Sequence, residues 1–99
     1  MIYITDKTAI NFRHSNTMHS FLDTNKTDWV EMPCRATSCE IVELDIDGNV
    51  SKVISRGYAV CHPTDNFSKE SGRKLSLTRA VNGLNRADRK RIWNAYFTR

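Results

Sequence analysis

The dipeptide Asp47-Gly48, set between two strand-forming runs, constrains this chain most. A two-residue hairpin turn requires positive φ, which Asp-Gly accepts at low cost, and such a turn commits its flanks to antiparallel pairing. Before it, Ser38 to Ile46 alternates in polarity. Val42, Leu44 and Ile46 are predicted on one face, and Glu43 and Asp45 on the other. After it, Val50 to Cys61 reads as the return strand. Ile54, Tyr58 and Val60 are assigned to one face, which Arg56 interrupts at an edge or at a bulge near Gly57.

The rest of the chain is arranged around this hairpin. Met1 to Thr5 is a short β-prone start. Asp6 to Asp28 is rich in Thr, Asn and Ser and reads as a long polar connection, with one short helix near Ser15 to Leu22. Asp28 to Met32 reads as a strand that Pro33 ends. The character changes at His62-Pro63-Thr64-Asp65, a loop. From Asn66 to Asn82 the pattern is helical, with Leu77, Ala80, Val81 and Leu84 on one stripe and Gly83 as a C-terminal stop. Asn85, with Asp88 three residues on, is placed to cap a second helix from Arg86 to Phe97, whose buried stripe is Ile92, Trp93 and Tyr96. The expected class is α+β: a small antiparallel β-sheet followed by two C-terminal helices packed on one face. Ninety-nine residues make one domain, with residues 1–64 as the sheet part and 65–99 as the basic helical part.

Charge separates these two parts. Residues 1–64 hold six Lys/Arg against eight Asp/Glu, a net of −2, and residues 65–99 hold nine against three, a net of +6. A local positive field concentrates anions, so the asymmetry predicts a negatively charged partner. The chain opens with no basic start and apolar segment, and it holds no apolar run of membrane length. Three Cys with no C-x-x-C pair read as reduced thiols. Together these predict a cytoplasmic protein that does not enter a membrane.

The residues able to carry chemistry cluster at the start of the first helix. A helix N-terminus presents unpaired N–H groups and partial positive charge, which suit a phosphate. Phe67 offers a ring for stacking on a base, Lys69 and Arg73 share a face four residues apart, and Arg79 extends the polar surface. Phe67, Lys69, Arg73 and Arg79 are therefore the ligand-binding candidates. Arg86, Arg89 and Lys90 on the second helix are candidate phosphate or nucleic-acid contacts. Other constellations are weaker. Cys34 and Cys39 are spaced more loosely than a zinc pair, Cys61 and His62 are adjacent on a strand, and His14 and His19 do not share a helix face. No metal or other cofactor is expected. Cys61 and His62, as strand neighbours, cannot easily form a nucleophile–base hydrogen bond, and no catalytic motif is present, so a non-enzymatic role is expected.

The string C-H-P-x-D-x-F from Cys61 to Phe67, followed by G-R-K-L-S-L-x-R-A from Gly72 to Ala80, resembles a pattern in small bacteriophage proteins. It is similar to the phage Thoeris anti-defence 1 type of cyclic-nucleotide sponge. The resemblance covers Ala59 to Ala80, about a fifth of the chain. It implies a small sheet-plus-helix oligomer that sequesters a nucleotide signal of bacterial immunity without cleaving it, with Phe67, Arg73 and Arg79 as ligand contacts. In that reading Arg73 and Arg79 flank one open cationic pocket, and oligomer formation buries Trp93, Tyr96 and Phe97. Two other functions fit the same charge pattern: a protein inhibitor that occupies the surface of a host defence nuclease complex, and a general DNA or RNA binder.

Overall fold

The computed structural model describes residues 1–99. Four strands and two helices follow in chain order: β1 (Ile2–Tyr3), β2 (Thr8–Leu22), β3 (Trp29–Leu44), β4 (Val50–Cys61), α1 (Lys69–Val81) and α2 (Arg86–Phe97). The strands form one antiparallel sheet in the order β1-β2-β3-β4. The fold is α+β, with both helices on one side of the sheet.

The central hairpin forms, but its turn runs from Asp45 to Asn49 rather than over two residues, and Asp47 has no positive φ. Gly48 takes φ +83, and the Asp45 carboxylate accepts hydrogen bonds from the Asp47 and Asn49 amides, each at 2.9 Å. Ile46, however, belongs to the turn and is 101% exposed; it does not share a buried face with Val42 and Leu44. On β4 the expected faces are reversed. Gly57 and Ala59 are buried beneath the helices, whereas Ile54 and Tyr58 are exposed. The register slips between Ile41 and Val42, where their partners are Ser55 and Val53, so the irregularity lies at Ile54 rather than near Gly57.

The largest correction lies in residues 6–28. The expected polar connection with a helix near Ser15 to Leu22 is instead β2, which pairs residue for residue with β3 from Thr8↔Glu43 to Leu22↔Trp29. Pro33 does not end a strand. It sits inside β3 opposite Met18, beyond Arg35↔Cys61 where β4 stops, so β3 has a neighbour on one side only there. A missing N–H on such an open edge breaks no ladder. The β2–β3 hairpin thus projects past the rest of the sheet as an arm, closed by a turn in which Asp23 accepts from the Thr27 amide at 2.9 Å. The molecule measures 51 × 26 × 22 Å.

The core lies between the sheet and the helices. Ile10, Cys39 and Ile41 from the sheet meet Leu77, Ala80 and Val81 of α1 and Ile92 and Tyr96 of α2. Burial in this layer pushes the Cys39 thiol pKa up to about 12, so this cysteine stays protonated and unreactive. Both helix starts are capped, the second as its sequence predicts. The Ser68 hydroxyl accepts from the Ser71 amide, and the Asn85 side chain accepts from the Asp88 amide at 2.8 Å. Gly83 has no positive φ, so α1 does not end on a left-handed glycine. Glu70 ties the opening of α1 to the end of α2. It receives Arg73 at 2.8 Å, the Tyr96 hydroxyl at 2.9 Å and Arg99 at 3.2 Å. Neither helix is long and apolar enough to cross a membrane.

Candidate functional site

Phe67 is the centre of the arrangement. It precedes the Ser68 cap and lies over the helix-facing side of the sheet. The Arg35 guanidinium sits 4.4 Å above its ring centroid, and the His14 imidazole meets it edge-on at 5.7 Å. His14 and Arg35 come from β2 and β3, the segments read as a connection and a broken strand, so the sequence placed neither beside Phe67. Alternation is the signal that could have found them. His14 follows Ile10 and Phe12 in steps of two, and Arg35 precedes Thr37, Cys39 and Ile41 in the same steps.

His14 is anchored by Thr37, whose hydroxyl lies 2.7 Å from Nδ1. Thr37 is buried, and a Cβ added at Gly72 would press on its side chain, so Gly72 of the G-R-K string lets α1 close over this pair. Burial lowers the His14 pKa below its ordinary value, and the charges of Arg73, Lys69 and Arg35 lower it further. The charges of Arg35 from β3 and of Lys69 and Arg73 from α1 thus act on one imidazole, and Arg35 alone of the three lies against the Phe67 ring. That is the local cationic field of the molecule's α1 end.

Two cavities flank Phe67. One, of about 210 Å³, is lined by Thr37, Ala59, Asn66, Phe67, Ser68 and Ser71 at the mouth of α1. The other, of about 240 Å³, is lined by Asn16, Arg35, Cys61, His62, Asp65 and Phe67. Arg35 borders the second and not the first, which leaves the ring side toward α1 clear of the guanidinium. Both volumes fall below the roughly 300 Å³ at which pockets begin to enclose a small ligand.

The remaining candidates are placed as follows. Lys69 is exposed at the start of α1. Arg73 is near the site, but it is held by Glu70 at 2.8 Å. Arg79 lies on the other side of α1 and donates to the Tyr58 carbonyl. Arg73 and Arg79 thus face apart and line no common pocket, because six residues along a helix turn the side chain far round its axis. Arg86, Arg89 and Lys90 are exposed on α2 and do not border Phe67. Cys61 Sγ donates to the carbonyls of His62 and Asp65, and His62 Nδ1 lies 2.7 Å from the Thr64 hydroxyl, so the two side chains do not pair. The candidate ligands Cys34, Cys39, Cys61, His62, His14 and His19 form no group of three able to hold a metal ion.

A larger cavity of about 440 Å³ lies on the uncovered face of the sheet among Asn11, Arg13, Ser38, Glu40, Arg56 and Tyr58. There Glu40 already holds Arg56 at 2.9 Å, so much of its positive charge is spent internally. Comparison of the chain with known protein families, with curated proteins and with solved structures gave no match.

Proposed function

We propose that this chain is a non-enzymatic binding protein that captures a nucleotide-like anion at the Phe67 site. The observation that supports this reading is the Arg35 guanidinium over the Phe67 ring, with the His14 imidazole edge-on to it, at the mouth of α1. A base stacks on the free side of the Phe67 ring, where base–aromatic stacking is worth about 1–3 kcal/mol. Phosphate oxygens take the Lys69 ammonium, the Arg35 guanidinium and the open amides of the first turn of α1. Arg73 acts by its charge and through Glu70, and Arg79 takes no part in binding.

The resemblance of residues 59–80 to phage nucleotide sponges supports a role in sequestering a defence signal within the cytoplasm of a host bacterium. The small size of each cavity supports self-association, with a second copy completing the site.

Calorimetric titration with cyclic dinucleotides, cyclic trinucleotides and cyclic ADP-ribose tests the reading. The wild type binds at least one of them, Phe67→Ala and Arg35→Ala weaken that affinity tenfold or more, and Arg79→Ala leaves it unchanged. Absence of heat with every one of these ligands, from a folded protein, refutes the reading.

A further inference from the structure

The arm beyond β4 has the wrong surface for a segment that remains in water. Over residues 17–34 it exposes Met18, Leu22, Val30 and Trp29, the last at 69%. A compact monomer of this mass exposes about 5,800 Å². This chain exposes 6853 Å², an excess of about 1,000 Å². Its radius of gyration is 15.6 Å, against about 13 Å for a compact domain of its length. The excess is comparable to the roughly 800 Å² that each partner buries in a standard interface.

Charge indicates what covers the arm. Residues 17–34 carry Asp23, Asp28 and Glu31 against Lys26, a net of −2. Residues 86–99 carry Arg86, Arg89, Lys90, Arg91 and Arg99 against Asp88, a net of +4. Along with these cations α2 presents Phe97, 62% exposed and stacked on Trp93 at 5.5 Å. Tyr96, by contrast, is fully buried within its own chain and takes no part in an interface. One chain therefore holds two unpartnered surfaces, acidic-apolar and basic-aromatic, at separate places on the fold. Pro33 on the open edge of β3 discourages strand addition along that edge.

We propose that two copies of this chain associate by exchanging arms, the Met18–Leu22–Trp29 surface of each lying on the Phe97 side of α2 of the other. This rests on the self-association read above and names its surface. Exchange in both directions gives a closed, self-complementary assembly. It is independent of ligand chemistry.

Native mass spectrometry and light scattering at micromolar concentration test it, using the full chain without ligand. The wild type is expected to associate. Trp29→Ala and Phe97→Ala each shift it to monomer while the circular dichroism spectrum stays unchanged, because both side chains are exposed. Asp28→Lys with Glu31→Lys weakens association, and adding Arg89→Glu with Lys90→Glu to that variant restores it; such rescue does not arise from misfolding. A monomeric wild type overturns both this proposal and self-association, and it leaves the arm to a foreign partner. An assembly that survives Trp29→Ala and Phe97→Ala overturns arm exchange alone.

Discussion

Replacing Gly57 by alanine drives a methyl group into the backbone of α1. Gly57 lies in β4 opposite Cys39, directly beneath the helix. A Cβ there would collide with the Ser76 carbonyl oxygen and the Ala80 nitrogen, and it would sit 3.0 Å from the Ala80 Cα. Carbon atoms pack comfortably at about 3.5–4.0 Å. These obstacles are main chain, so no side chain can swing aside. The helix must retreat as a body, loosening Ser76, Leu77, Ala80 and Val81, its four buried residues. Overpacking costs about 1–3 kcal/mol, and a rigid obstacle places this case at or above the upper end. A loss of about 3 kcal/mol is a large part of the roughly 5–15 kcal/mol that holds a domain folded. With about 4–8 °C per kcal/mol for a domain of this size, the melting temperature falls by about 12–24 °C. Gly83→Ala is the matched control, since a Cβ there meets nothing within 4 Å and its φ is not positive. It is expected to melt within a few degrees of the wild type. Thermal denaturation of both variants decides the matter: equal melting temperatures would refute the close helix–sheet approach.

Other outcomes follow from the same contacts. Glu70 is held at a pKa of about 2, below its ordinary 4.5, chiefly by Arg73 and then by the Tyr96 hydroxyl. Its contribution to stability is therefore complete above 4.5 and is lost as the pH falls toward 2; Glu70→Gln is expected to flatten that stretch of a stability-versus-pH curve measured by urea unfolding. Tyr96→Phe removes a hydrogen bond to a charged acceptor from a fully buried ring, which predicts a loss of about 2 kcal/mol by the same assay. His14 has a lowered pKa, so its neutral form is favoured by the fold, and stability declines as the pH drops below its ordinary 6.5. A bound anion offsets the charges of Arg73, Lys69 and Arg35, so ligand is expected to raise the His14 pKa in an NMR pH titration.

The parts legible in the sequence were those governed by local chemistry. Asp47-Gly48 set the hairpin, the spacing of Leu77, Ala80 and Val81 set the buried face of α1, and Asn85 with Asp88 set the start of α2. The parts that escaped depend on distant partners. β2 carries Ser, Asn, Thr and His at many positions because its outer half leaves both faces to water, so the alternation that begins at Ile10, Phe12 and His14 fades along the arm. Pro33 read as a terminator because nothing local tells that β4 stops before reaching it. On β4 the small residues Gly57 and Ala59, not the large Tyr58, face α1, since a closely approaching helix leaves room for little else. The binding candidates divided in the same way. Phe67 and Lys69 were visible beside a helix cap, whereas Arg35 and His14 reached the site through strand pairing. Arg73 and Arg79 looked alike in sequence but went to Glu70 and to the Tyr58 carbonyl.

The location of nucleotide binding is the point on which the functional account stands. An NMR titration of the labelled protein with the nucleotide that gives the strongest calorimetric response maps it directly. The account predicts that the largest shifts fall on His14, Arg35, Phe67 and the first amides of α1. Shifts gathered instead on Arg86, Arg89 and Lys90, or around Arg13 and Arg56 on the uncovered sheet face, would contradict it.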